Sequence, residues 1–121
     1  MNKAVLFNFS FPRGDTVNFT LNVAGADSTP VDISNQTVWL TAKANLTDED
    51  ADAAIQKSVT FPSTLDAQNG HGHLSLTADE TNIAPGVYYY DIQLVADGTP
   101  KLVTTLVTGK ITVTYDVTRS T

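Results

Sequence analysis

The chain has 121 residues, carries a formal net charge of −6 from 7 basic and 13 acidic side chains, and contains no cysteine. Hydrophobic residues make up 41% and charged residues 17%, so we expect residues 1–121 to form a single globular domain with its own core. The negative charge argues against nucleic acid as a partner, because phosphate contacts need a basic face. The absence of cysteine excludes disulfides, thiolate metal sites and a cysteine nucleophile.

The first part of the chain shows apolar and polar residues in alternation. An apolar run at residues 4–9 leads into a turn at residues 12–15. Residues 17–23 then alternate strictly, which predicts a strand with one buried face. Residues 37–43 predict the next strand, with Trp39 on the face opposite the apolar side chains.

The middle of the chain contains shorter elements separated by turn residues. Turn chemistry fills residues 24–30. Thr47 is placed to act as an N-cap before several acidic residues, so we expect a short helical turn or a loop there. Residues 55–61 return to a strand pattern. Residues 66–70 are expected to be a loop that ends in the turn signal Asn-Gly, and residues 73–77 predict a short strand.

The third part of the chain contains the longest predicted strand. Thr77 and Glu80 have the spacing of a capping box, so a helical turn is expected after residue 77. Residues 87–95 then predict a central strand. The apolar side chains on its buried face are Tyr88, Tyr90, Ile92 and Leu94.

The last part of the chain predicts a hairpin. After a loop at residues 97–100, strands are expected at residues 101–107 and 110–117, with a break or bulge near Gly109. A polar tail follows from residue 118. The side chains expected to face inward from the last strand are Ile111, Val113, Tyr115 and Val117.

These elements predict an all-β fold. About seven to eight short strands, with one or two short helical turns, are typical of an immunoglobulin-like β-sandwich. No Ser-His-Asp arrangement or glycine-rich phosphate loop is present, so we expect no enzyme activity and no cofactor.

Several of these segments resemble a known family. The sequence of residues 13–16 before an alternating strand is similar to the opening of the immunoglobulin-like N-terminal domain of phage baseplate upper proteins and related tailed-phage virion structural proteins. Further segments that fit this layout are residues 30–33, 38–41, 85–91 and 109–113.

The resemblance implies a role in a virus particle. It implies a non-enzymatic component of a tailed-phage virion, such as a capsid-surface, connector, baseplate or tail accessory protein, that docks to other virion subunits and forms a homo-oligomer, with a trimer as one option. The longer members of the family carry a receptor-binding or coiled-coil portion after this domain. Because this chain ends at residue 121, we expect a stand-alone accessory protein.

The first residues of the chain bear on its location. The apolar stretch there is short and interrupted by Asn8, unlike the core of a signal peptide, and no run reaches membrane-spanning length. We therefore expect a protein made in the host cytoplasm without a signal peptide, located in the virion and without a membrane partner. Four glycosylation sequons carry little meaning without secretion; they begin at Asn8, Asn18, Asn35 and Asn45.

Two groups of residues contain potential metal ligands. Counted from Asp48, a calcium-binding EF-hand would need Gly and Glu where Ala53 and Val59 occur, so the pattern fails and a solvated loop is favoured. His71 and His73 alternate and project to one side of a strand, and in a trimer either could meet its copies on the axis. We expect no metal site from either group.

Four residues are candidates for contact with a partner. Arg13 and Asp15 flank Gly14 in an Arg-Gly-Asp sequence, for which a simple turn is favoured over receptor binding. Trp39 and Tyr89 are the aromatic candidates, because each is expected on the face opposite the core. Aromatic side chains also stack on sugar rings, so the alternative function is a carbohydrate-binding or adhesive module for host-surface attachment.

Overall fold

The structure is a computed structural model, and it describes residues 5–24, 29–96, 98 and 100–117. These residues form strands in two sheets, together with a 3-10 turn at Asp50–Asp52 and a short helix, α1 (Leu65–Gln68). The strands are β1 (Val5–Leu6), β2 (Phe9–Pro12), β3 (Val17–Asn22), β4 (Thr37–Lys43), β5 (Ile55–Thr60), β6 (His71–Leu76), β7 (Gly86–Ala96) and β8 (Leu102–Thr114).

The larger sheet has the order β1-β8-β7-β4-β5. Strand β2 also belongs to this sheet, and it pairs with β8 further along β8 than β1 does. Its pairs are antiparallel except for β1 and β2, which both run parallel to β8. The smaller sheet consists of β3 and β6. The larger sheet, built around β8, β7 and β4, and the smaller sheet of β3 and β6 form a β-sandwich. The predicted all-β fold is confirmed.

The core lies between the two sheets. Alternate residues of β4 and β7 point inward, and Val38, Leu40 and Ala42 are fully buried, because in a pleated strand every second side chain shares a face. The buried residues that the smaller sheet contributes are Leu21, Leu74 and Leu76. The predicted inward face of β7 is also confirmed, and β7 is central in its sheet.

The helical segments differ in part from the prediction. The expected loop at residues 66–70 contains α1, whose N-cap is Thr64: its hydroxyl accepts a hydrogen bond from the backbone N–H of Ala67. The cap predicted at Thr47 is wrong, because the 3-10 turn begins after Glu49, which makes no side-chain cap.

The capping box is confirmed. The carboxylate of Glu80 accepts a hydrogen bond from the backbone N–H of Thr77 at 2.8 Å, and the hydroxyl of Thr77 accepts one from the N–H of Glu80 at 3.2 Å. The neighbouring strand β6 is longer than expected. It begins at His71, two residues before the predicted start at residue 73.

The last strand is also corrected. β8 is continuous through Gly109, and the irregularity in its pairing lies between Ile92 and Gln93 of β7. Gly109 serves a different purpose: a Cβ there would collide with the carbonyl oxygen of Phe7. The inward face ends at Val113, because Tyr115 and Val117 lie beyond the strand and are 69% and 99% exposed.

Three expectations lie partly or wholly outside the described residues. They concern the turn at residues 24–30, the hairpin loop at residues 97–100 and the tail from residue 118.

Candidate binding surfaces

Trp39 and Tyr89 lie on the outer face of the larger sheet. Trp39 of β4 pairs with Gln93 of β7, and Tyr89 of β7 pairs with Lys43 of β4, so all four side chains project away from the core. Trp39 is 38% exposed and Tyr89 is half-buried. The two aromatic candidates therefore share a face. They are four residues apart along the strands, which is about 13 Å.

Arg13 and Asp15 lie elsewhere, in the turn between β2 and β3. Arg13 Nε donates a hydrogen bond to Asp116 Oδ1 at 2.8 Å. Gly14 has φ of +84°, a left-handed conformation that glycine adopts without strain. The backbone N–H of Asp15 donates to the carbonyl of Pro12 at 3.3 Å. This geometry agrees with the turn interpretation, and the structure does not bring the four candidates together.

The turn is also tied to the capping-box segment. The hydroxyl of Thr81, a fully buried side chain, donates to the carbonyl oxygen of Asp15 at 2.6 Å. Because a buried hydroxyl without a partner would be costly, this bond fixes the turn against the segment that follows β6. The exposed carboxylate of Asp15 thus projects from a well-anchored backbone.

A cleft of about 590 Å³ opens beside Tyr89 on the outer face of the larger sheet. Its floor is formed by outward side chains of β4, β7 and β8, and its walls by β1 and the segment that follows β4. The residues that line it are Leu6, Asn8, Thr41, Lys43, Leu46, Asp50, Tyr89, Tyr90, Asp91, Gln93, Thr108, Gly109 and Lys110.

Each charged side chain that lines the cleft has a close neighbour. Lys43 Nζ lies 2.7 Å from Asp50 Oδ1, and this hydrogen bond raises the pKa of Lys43. Lys110 Nζ lies 5.6 Å from the centre of the Tyr89 ring, within the range of a cation–π contact. Burial raises the pKa of the Asp91 carboxyl, and a hydrogen bond from Gln93 Nε2 at 3.3 Å opposes that effect. Asp91 is the most desolvated acid of this group.

Sequence reasoning found Tyr89 and missed the rest of the cleft. Alternation along β7 places Asp91 and Gln93 on the same face as Tyr89, so the sequence alone could have indicated these two residues. Lys43 and Lys110 join them only through the pairing of β7 with β4 and β8. That pairing brings together residues far apart in the chain, and period-two patterns do not specify which strands are neighbours.

The outer face of the smaller sheet is polar. His71 and His73 are exposed on this face of β6, as their alternation predicted, and each Nδ1 is hydrogen-bonded across to β3. The three hydrogen-bonded cross-strand pairs are Asn18–Ser75, Thr20–His73 and Asn22–His71. Within the described part of the chain, no three His, Asp or Glu side chains are grouped as metal ligands.

The remaining tyrosines of β7 belong to the core. Tyr88 and Tyr90 are 8% and 4% exposed, and their hydroxyls donate to the carbonyl oxygens of Ala84 and Phe7. This leaves Tyr89 as the tyrosine of β7 that contacts the cleft with its side chain on the outer face.

Comparisons with known proteins found no relative: no protein-family model matches the chain, and no curated protein matches it. The resemblance to the phage baseplate domain therefore stays a prediction that depends on the segments quoted above. Over the described residues, no helix has the length and apolar character needed to cross a membrane.

Proposed function

We propose that this chain is a non-enzymatic structural component of a tailed-phage virion, which docks to other virion subunits through the outer face of its larger sheet. The observation that carries the proposal is the exposure of Trp39. A tryptophan on a strand face offers a large, rigid contact area, and such residues dominate the binding energy of many interfaces.

The surroundings of Trp39 extend the apolar surface. Val95 of β7 pairs with Thr37, two residues from Trp39, and Val103 of β8 pairs with Val95. Both valines project outward, and Val103 is 52% exposed. Trp39, Val95 and Val103 are here called the tryptophan patch. A central aromatic side chain with aliphatic neighbours is the composition expected at the centre of a protein–protein interface.

The proposed partner is another protein subunit of the particle, and a homo-oligomer of the chain is included in the proposal. The resemblance supports the particle, and the tryptophan patch supports the docking surface. The proposed location follows from the same reasoning: the protein is made in the host cytoplasm and is then incorporated into the virion.

Co-sedimentation tests this function. The purified chain is mixed with phage particles from the source that encodes it, and light scattering measures its oligomeric state. We expect the chain to bind the particles or to form a defined oligomer, and Trp39→Ala to weaken that binding at least tenfold. Leu65→Ala is the matched control, because Leu65 is 74% exposed on α1, away from the tryptophan patch.

Two results would contradict the proposal. One is a wild-type chain that stays monomeric and does not sediment with particles. The other is binding that Trp39→Ala leaves unchanged while circular dichroism shows that the variant is folded.

The second candidate function is a carbohydrate-binding or adhesive module for attachment to a host surface. The cleft beside Tyr89 favours it, because an aromatic ring there adjoins hydroxyl, amide and carboxylate groups. Trp39 does not line this cleft, so Tyr89 is the aromatic residue on which this candidate depends.

A further inference from the structure

The outer-face cleft has apolar side chains on both of its walls and a row of hydrogen-bonding groups on its floor. Leu6 and Leu46 line it and are 72% and 74% exposed, and the Tyr89 ring lies in the same cleft. Thr41, Asp91 and Thr108 occupy paired positions on three adjacent strands, so their polar atoms form a line across the sheet. Such a surface suits a ligand that carries both apolar C–H groups and hydroxyls.

From this arrangement we infer that the cleft binds a neutral sugar ring, with Tyr89 contacting its C–H face and Asp91 and Gln93 hydrogen-bonded to its hydroxyls. The inference rests on the carbohydrate-binding candidate and is independent of docking through the tryptophan patch. A saccharide has the required character, because its ring carbons are apolar on one side while its hydroxyls both donate and accept hydrogen bonds.

The charges of the cleft favour an uncharged ligand. Lys43 and Lys110 contribute two positive charges, and Asp50 and Asp91 contribute two negative charges, so the lining is balanced. Lys43 is paired with Asp50. A phosphate or carboxylate ligand would be repelled by Asp91, and a cationic ligand by Lys110. A neutral polar ligand meets neither penalty.

Asp91 and Gln93 provide the recognition of hydroxyl groups. A carboxylate accepts hydrogen bonds, and the adjacent amide of Gln93 both donates and accepts them, so together they match two neighbouring hydroxyls of a sugar. The Asp91 carboxylate is half-buried, and a hydroxyl that donates to it restores hydrogen bonding that burial removes. This is the physical reason for a ligand at this position.

The Tyr89 ring has a charged neighbour, the Lys110 ammonium, 5.6 Å from the ring centre. The two side chains project from paired positions of β7 and β8, and the ammonium attracts the ring. A contact that favours one orientation of the ring reduces the freedom that the ring loses when a ligand binds. The cleft volume of about 590 Å³ lies within the range of known small-molecule sites.

A glycan array followed by calorimetry tests the inference. The array carries neutral and acidic glycans, and the neutral glycan with the strongest signal is then titrated into the purified chain. We expect Tyr89→Ala and Asp91→Asn each to weaken its binding at least tenfold. Tyr115→Ala is the control for loss of an exposed tyrosine, and it should leave the affinity within twofold.

Three outcomes would overturn the inference: an array without a neutral hit, a preference for acidic over neutral glycans, or binding retained by folded Tyr89→Ala. The Val103→Asp variant separates this site from the docking surface, because Val103 belongs to the tryptophan patch and, unlike Trp39, is not paired with a residue of the cleft. It should keep glycan affinity while losing particle binding, so failure of one proposal is distinguishable from failure of the other.

Discussion

The hydroxyl of Tyr90 reaches the backbone of the N-terminal segment across the inner face of the larger sheet. It donates to the carbonyl oxygen of Phe7 at 2.6 Å, and Gly109, without a Cβ, leaves room for that carbonyl. Burial raises the pKa of Tyr90 to about 12. The Tyr90 hydroxyl and the absence of a side chain at Gly109 together determine where the connection between β1 and β2 lies.

Removing this hydroxyl is expected to destabilise the protein. Tyr90→Phe keeps the ring in the core but leaves the Phe7 carbonyl without its donor, at a cost of about 1–2 kcal/mol in the free energy of unfolding. Urea denaturation measures the change. Tyr89→Phe, on the outer face of the same strand, is the matched control, and equal midpoints for the two variants would contradict the expectation.

Asp91 gives a pH-dependent prediction. Burial raises its pKa in the folded state, so the native protein holds this proton to a higher pH than the unfolded chain does. Stability contributed by the protonated form is present below the ordinary value of 3.8 and is lost as pH rises through the folded-state pKa.

Asp91→Asn should therefore raise the thermal midpoint at pH 7 and have a smaller effect at pH 3. Thermal unfolding of wild type and variant over this range measures the difference. A variant that is less stable than wild type at pH 7 would show that the charge of Asp91 has a stabilising partner that outweighs its burial.

At the scale of elements, β5 is an edge strand that carries a charge on its inner side. Lys57 pairs with fully buried Leu40, so it points toward the core side, where its ammonium contacts the Glu80 carboxylate at 3.0 Å. An inward charge on an edge strand discourages pairing with other chains. The same contact connects β5 with the segment that follows β6.

Loss of this ion pair should cost little at neutral pH. Hydrogen bonding from Thr77, followed by the Lys57 contact, lowers the pKa of Glu80, so the stabilisation is present above 4.5 and is lost as pH falls through the folded-state pKa. Glu80→Gln keeps a capping acceptor but removes the charge, and we expect a loss of about 0.5–1 kcal/mol at pH 7. Denaturation at pH 7 and pH 3 checks this, since an equal loss at both pH values would exclude an ionic cause.

The sequence predicted the positions of individual strands better than the way in which the strands pair. The strands over residues 17–23 and 37–43 were recognisable because one face of each must be buried. The helix α1 was missed because four residues are too few to show helical periodicity. The bulge predicted near Gly109 occurs instead where the pairing shifts between Ile92 and Gln93, because its position depends on how β7 pairs with β8. The cleft was missed for the same reason, since its residues come from separate strands.

At the scale of the molecule, a single core joins a wide sheet to a two-stranded one. Leu40 of β4 is fully buried between them, so Leu40→Ala should lower the free energy of unfolding by about 2–5 kcal/mol. Exposed Leu65 is the control, and Leu65→Ala should change stability by less than about 0.5 kcal/mol. Calorimetry should show one cooperative transition in each case, and two transitions would contradict the prediction of one domain.

The parallel pairing of β1 and β2 with β8 determines how the domain would respond to tension. Val5 pairs with Val107 and Pro12 with Thr114, so the start of β1 and the end of β8 are at opposite ends of the paired strands. Pulling these ends apart shears the strands, and the hydrogen bonds between them resist together rather than one at a time. Pulling on Thr37 and Thr60, which face each other, would instead unzip β4 from β5. In single-molecule stretching we expect the first geometry to rupture at the higher force.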